Sequence, residues 1–214
     1  MKTHKDWLVL DIGANIGQYS LIAAKMGSNV LAVEPFYDSI LRIHKGAIHS
    51  GVQHKILLIK NVISNIRNDV KMLRNIRRYG EQHVDINDKT RYKRNKRNKY
   101  LVETILFDDL LNYLPKYNKN QAYKKAIIKM DLEGFEPLAF AHASKIFEHL
   151  DIPVIIMRWE TIKRERISHA LVDNMITFLI NHGLKPHPIE STNVLNLKNW
   201  KSWPRNVIWK KDGY

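Results

Sequence analysis

Acidic residues at three places in this 214-residue chain stand directly behind short, mostly apolar runs. Asp11 follows Trp7-Leu8-Val9-Leu10, and Glu34 follows Val30 to Val33. Asp131 follows Ala126 to Met130 and opens the segment Asp131-Leu132-Glu133-Gly134-Phe135-Glu136-Pro137. A carboxylate accepts hydrogen bonds and donates none, so it suits two vicinal hydroxyls or a proton in transit. Behind Asp11 comes Gly13-Ala14-Asn15-Ile16-Gly17. Gly13 and Gly17 leave the backbone open to a ligand and can take φ > 0. A helix starting near Gln18 leaves its first N–H groups unpaired, so a polar ligand end can dock there. Glu34 stands 23 residues after Asp11, near the roughly 20-residue offset at which an acid meets a ribose diol. The glycines are spaced G-x-x-x-G, not G-x-G-x-x-G, and the P-loop pattern with its lysine is absent. A pyrophosphate cradle is therefore disfavoured, and a nucleoside without phosphates fits better.

The elements that must position these residues read as an open α/β sheet. Trp7–Leu10 has the continuous apolar character of a strand buried on both faces. Gln18 to Met26, with Tyr19, Leu21, Ile22 and Ala23 apolar, reads as a short helix stopped by Gly27. Val30–Val33 completes a βαβ unit. Tyr37-Asp38-Ser39 offers caps for a helix to about His49, with Ile40, Ile43, Ala47 and Ile48 as its apolar stripe. Lys55–Ile59 is a third strand, and Leu101–Ile105 a further one. The Leu106–Leu111 stretch starts a short helix that Asp108 or Asp109 can cap, and Lys116–Lys125 is a polar connector. Ala126–Met130 is the next buried strand. Pro137 suits the first turn of a helix to about Leu150, with Glu136 as a substitute cap. Pro153–Met157 is a strand and Ile167–Ile180 a helix ended by Gly183. Leu184–Ile189 and Asn206–Trp209 form an antiparallel pair whose prolines, Pro186 and Pro188, place it at a sheet edge. Trp200, Trp203 and Trp209 are expected in packing. These elements imply a doubly wound, mostly parallel sheet with an antiparallel C-terminal strand pair, in one domain over 1–214. Ligands sit beyond the carboxyl ends of strands in such a sheet, so the ends carrying Asp11, Glu34 and Asp131 converge on one crevice. In this fold class the end of the third strand sits beside the base, which makes Asn61 to Ser64, and Asn61 and Val62 first, its neighbours.

Lys and Arg number 35 against 21 Asp and Glu, a net charge of +14. Much of the excess falls in a basic insertion at about 65–99, where periodicity fades. It holds Arg67, Lys71, Arg74, Arg77 and Arg78, then Arg91, Lys93, Arg94, Lys96, Arg97 and Lys99, with Tyr92 and Tyr100 beside them. Basic residues interleaved with tyrosines can contact phosphates and stack on bases, although a solvated basic loop is the simpler reading. The absence of cysteine removes disulfides, thiolate zinc sites and a cysteine nucleophile. None of the ten histidines stands at zinc spacing. No run of about 18 apolar residues, as a membrane span needs, occurs. As written, the chain reads as soluble, with compartment open.

The stretches DIGANIGQYSLIAA, VLAVEP and IIKMDLEGFEPLAF together resemble the FkbM-type S-adenosylmethionine-dependent methyltransferases, over roughly Trp7 to Lys211. The resemblance implies a Rossmann-like class I methyltransferase fold and S-adenosylmethionine (SAM) as cofactor. Its cofactor-binding positions are Asp11, Gly13, Ala14, Asn15, Gly17, Glu34, Pro35, Asn61 and Val62. It further implies O-methylation of a hydroxyl on a small molecule or glycan. Asp131 is then the first candidate for a base, Glu133 the second and Glu160 the third. Asp131 and Glu133 can alternatively hold a divalent cation that lowers the hydroxyl pKa. Proteins of this kind commonly carry an acid where Arg158 stands; here the order is Arg158-Trp159-Glu160. That departure leaves open a catalytically inactive cofactor-binding domain, while Arg158 could equally bind an acidic substrate or pair with Glu133 or Asp131. The basic insertion leaves open an RNA methyltransferase docking through Arg91–Lys99. Domains resembling this one usually carry a helix before the first strand, whereas MKTHKD leads directly into it. The chain therefore has an open cofactor site or lacks its natural start.

Overall fold

Leu8, Leu10 and Ile12 are fully buried on one side of the first strand, and Asp11 is equally buried on the other. Such burial on both faces marks the interior of a parallel sheet. The computed structural model describes residues 7–68, 70–75, 82–84, 98–117, 121–164 and 167–214, with backbone alone at 70–75, 82–84, 117 and 164. In order, the chain forms β1 (Trp7–Ile12), α1 (Gln18–Lys25), β2 (Asn29–Val33), α2 (Tyr37–His49), β3 (Ile56–Ile59) and β4 (Val62–Ile63). Then come β5 (Val70–Asn75), β6 (Gln82–Val84), β7 (Leu101–Ile105), β8 (Lys116–Tyr117), β9 (Gln121–Ala122) and β10 (Lys125–Met130). The last third holds α3 (Glu136–Phe140), α4 (Ser144–His149), β11 (Asp151–Arg158), α5 (His169–Asn181), β12 (Lys185–Pro188) and β13 (Asn206–Lys210).

Seven strands build the main sheet in the order β12-β13-β11-β10-β1-β2-β3. Its core is parallel, and β13 runs against both β11 and β12. Pro186 and Pro188 lie in the edge strand β12, where a missing N–H costs least. The order reverses between β1 and β10, because the chain leaves β1 toward β2 and β3 and only later adds β10 on the other flank. Crevices open at such a reversal.

Several local expectations are corrected. The buried face of α1 is Ser20 and Ala24, whereas Tyr19 and Ile22 are about half exposed at 51% and 53%. Small residues face inward because α1 lies close against β1, near enough for Ser20 to bond Asp11. The start of α2 has no side-chain cap, since Phe36 precedes it; Asp38 instead pairs with Lys99 at 3.1 Å. Ile48 of the expected stripe is exposed. The helix expected to run to Leu150 is two, α3 and α4, and Glu136 folds back to accept from Leu132 N–H at 2.7 Å. As expected, Asp109 caps the short helix that follows Leu106, a 3₁₀ turn, through Leu106 N–H at 3.0 Å. Asp108 accepts from Ile146 N–H in the first turn of α4, also at 3.0 Å. The connector at 116–125 contains a two-stranded ribbon, β8 with β9.

Part of the basic segment is sheet. Strands β5 and β6 join β4 and β7 in a second sheet of order β4-β7-β5-β6. Backbone pairing with β7 holds β5 there, so the element does not announce itself through apolar alternation. Trp200, Trp203 and Trp209 are buried with Trp159 in one aromatic cluster.

Candidate functional site

The turn after β1 is built around glycines that accept no substitute. Gly13 has φ +76, and a Cβ there would run into the Asp131 carbonyl oxygen. Gly17 has φ +83, and its Cβ would meet Ile43 Cγ1 at 2.8 Å. Two backbone bonds, Gly13 N–H and Ala14 N–H to the Val33 carbonyl at 2.9 and 3.0 Å, tie the turn to the end of β2. Beneath it, Asp11 is fully buried, accepts from the Ser20 hydroxyl at 2.6 Å and lies 3.5 Å from Lys129 Nζ. Lys129 also donates to the Gly13 carbonyl at 2.5 Å. Asp11 and Lys129 are register partners on β1 and β10, so the pair clamps the turn from two adjacent strands.

Glu34 turns toward that bend. One carboxylate oxygen accepts from Asn15 N–H at 2.8 Å, the other from Phe36 N–H at 2.9 Å. Only 4% of the residue is exposed. Burial pushes its carboxyl up to about 7, against the two N–H bonds and Lys129, which pull the other way.

An open cleft of about 640 Å³, its mouth included, lies above the carboxyl ends of β1, β2, β3 and β10. Gly13, Asn15, Glu34, Pro35, Asn61, Val62, Asp131 and Glu133 line it, all expected at the site. Asp11, Ala14 and Gly17 do not line it; they shape the turn from behind. Sequence reasoning did not single out Val33, Phe36, Leu132 and Phe135 in the lining, nor Lys129 below it. Apolar walls carry no signature of their own, and Lys129 follows only from the β1–β10 register. The Asn61 side chain donates to the Glu103 carbonyl at 3.0 Å.

The far end is set by the loop after β10. Asp131 N–H bonds the Ile12 carbonyl at 3.0 Å, and Glu133 and Gly134 take φ of 53 and 100. Arg158 reaches in from the end of β11, its Nη1 lying 3.0 Å from Glu133 Oε1 and 3.5 Å from Asp131 Oδ2. Asp131 Oδ1 is buried with no hydrogen-bond partner among the described residues. Glu136, under the loop, is fully buried; burial pushes its carboxyl up to about 8, against the Leu132 N–H bond. Glu160 does not reach the cleft lining and pairs with Arg205 at 3.1 Å. Among the described residues, no group of three or more His, Cys, Asp or Glu could hold a metal ion. None of their helices is long and apolar enough to cross a membrane. Of the basic stretch, Arg91 to Arg97 lie outside the described residues. Lys99 is paired with Asp38, and Arg67 with Asp109 at 2.6 Å.

A seven-stranded sheet with one reversed strand, carrying a glycine turn and a buried acid at its switch point, defines the class I methyltransferases. The match to the methyltransferase FkbM domain over residues 11–186 makes the chain a member of that family. No curated protein sequence matches it. Among solved structures, SMU.1697c of Streptococcus mutans, assigned as a methyltransferase and solved with S-adenosylhomocysteine (SAH), is similar at 11% identity and a TM-score of 0.50. The similarity covers 97% of this chain and 89% of that one. A protein assigned as an rRNA methylase in Clostridium thermocellum gives 12%, 0.50 and the same coverage. The O-methyltransferase TomG of Streptomyces achromogenes, solved with SAM, gives 10%, 0.49, and 96% and 73% coverage. At these identities the likeness is one of fold. Family and fold together support SAM-dependent methyl transfer.

The residues present fit that cofactor. Gly13, bare of a side chain, lets the Asp131 backbone close against the turn so that both line one cleft, and Glu34 lines it with a carboxylate. Each Glu34 oxygen keeps acceptor capacity after its backbone bond.

Proposed function

We propose that this protein methylates a hydroxyl oxygen of a small molecule or sugar at the expense of SAM. The observation that carries this reading is the convergence of the Gly13 turn, Glu34, Asn61–Val62 and Asp131 on one cleft. Glu34 accepts the two ribose hydroxyls. Phe36 and Val62 supply apolar walls for the base, whose polar edge meets backbone groups at Asn61 and Val62. Gly13 and Asn15 receive the amino-acid end of the donor along the turn.

When bound, the donor supplies a methyl group already activated on a sulfonium. The protein's task is then mainly to hold an attacking oxygen in line with the C–S bond. Asp131 accepts the hydroxyl proton as the new O–C bond forms, while the C–S electron pair stays on sulfur. Glu133 stands beside it as second candidate. Glu160, paired with Arg205 away from the lining, is better suited to fixing the rim.

The test is transfer of label from methyl-labelled SAM to a panel of hydroxylated small molecules and sugars, with RNA run in parallel. Oxygen-linked label on a small acceptor, reduced about 100-fold or more by Asp131→Asn, is the expected result. SAM binding without transfer to any acceptor would instead favour a binding-only domain. Label on RNA alone would overturn the choice of acceptor.

A further inference from the structure

The Arg158 guanidinium meets both carboxylates at the far end of the cleft. Asp131 and Glu133 line the cleft, and Arg158 does not. Its guanidinium lies against them, with Nη1 at 3.0 and 3.5 Å. The Arg158, Asp131 and Glu133 side chains are only 27%, 25% and 29% exposed. Charges so placed are screened less than charges on an open surface. With Arg158 in place, the trio carries one net negative charge; without it, two.

That difference bears on one feature of the reaction proposed above, on which this inference rests. The donor is a sulfonium cation, whereas the product left after transfer is a neutral thioether with the same nucleoside and amino acid. Contacts to ribose, base and amino-acid end treat the two alike, so charge at the far end tells them apart. Binding the cation too strongly would also stabilise the ground state against a transition state in which the sulfonium charge is dispersing. We propose that Arg158 is a positioning residue that acts through Asp131 and Glu133 to set how strongly the cleft prefers cationic SAM over neutral SAH. The arginine then moderates the acidic pair rather than abolishing the site.

The experiment is calorimetric titration of the full chain with SAM and with SAH, reading the ratio of the two dissociation constants. A general loosening of the cleft weakens both ligands together and leaves that ratio unchanged. Arg158→Met is expected to raise the preference for SAM by about tenfold, the order for removing one partly buried charge near another. Arg158→Lys keeps the charge and should stay within about twofold of wild type. Glu133→Gln, which leaves Arg158 beside Asp131, should lower the preference by about threefold to tenfold. Ratios within about twofold of wild type in both Arg158→Met and Glu133→Gln, with both ligands still bound, would overturn the inference. If Arg158→Met does not fold, Glu133→Gln decides alone by the same criterion. Wild-type protein that binds neither nucleoside would overturn the proposed function, and this inference with it.

Discussion

The two ends of the cleft hold their carboxylates by opposite means. Glu34 is nearly sealed from solvent and is fixed by two backbone N–H groups, from Asn15 and Phe36. Among the described residues no side-chain cation pairs with it, so burial dominates and its carboxyl rises to about 7. Asp131 and Glu133 are about a quarter exposed and are fixed by Arg158. The first arrangement depends on the course of the backbone, and the second on a side chain from another strand. Backbone-held sites tolerate change at neighbouring side chains but not in the turn, and side-chain-held sites behave the other way round.

The largest expected effect comes from breaking both ends at once. Gly13 touches the Asp131 backbone on one side and ties to Val33, next to Glu34, on the other. Gly13→Ala must clash or distort the turn at a positive φ. We expect about 3 kcal/mol or more of lost stability in denaturant unfolding and no measurable SAM binding. Near-normal stability and binding would show that the turn is not the common hinge.

Glu34→Gln separates the ends. A carboxyl raised from 4.5 to about 7 on folding contributes stability that is full below about pH 4.5 and lost as pH rises through about 7. Relative to the Gln variant, wild type should therefore lose roughly 3 kcal/mol between pH 4 and pH 8. Its SAM affinity should rise over the range where Glu34 ionises, while the variant's stays flat. Parallel stability profiles would remove the buried-acid reading.

Glu136 sharpens the contrast, because it lies under the Asp131 loop yet is buried like Glu34. Its carboxyl, raised to about 8, also contributes stability that is full below about 4.5 and lost as pH rises through about 8. Glu136→Gln keeps the acceptor for Leu132 N–H. It should gain melting temperature over wild type at pH 8 relative to pH 5, with SAM affinity changed less than about twofold. The smallest effect belongs to Glu160→Gln. With its carboxylate on Arg205 and away from the lining, SAM affinity should stay within about twofold. A larger loss would bring Glu160 into the cleft.

The same contrast explains how much was legible in the sequence. The sheet, its reversed C-terminal strand and the turn were readable because apolar runs, glycines and prolines act locally. Glu34 was readable because its offset from the turn is fixed by one helix and one strand. Arg158 was visible as a departure that could bind an acidic substrate or pair with Glu133 or Asp131, and the fold brings it to both carboxylates. Lys129 required the β1–β10 register. The inward face of α1 was misjudged because close packing favours Ser20 and Ala24 over the larger Tyr19 and Ile22. Strands β5 and β6 were missed because pairing with β7, rather than alternation, holds β5 in place.

The most direct measurement is calorimetric binding of SAM at pH 8 to wild type and to Glu34→Ala. Wild type should bind, and the variant should lose more than tenfold in affinity, about 1.4 kcal/mol or more. Equal affinities would place the ribose elsewhere, and no binding by wild type would contradict a nucleoside cleft at the switch point altogether.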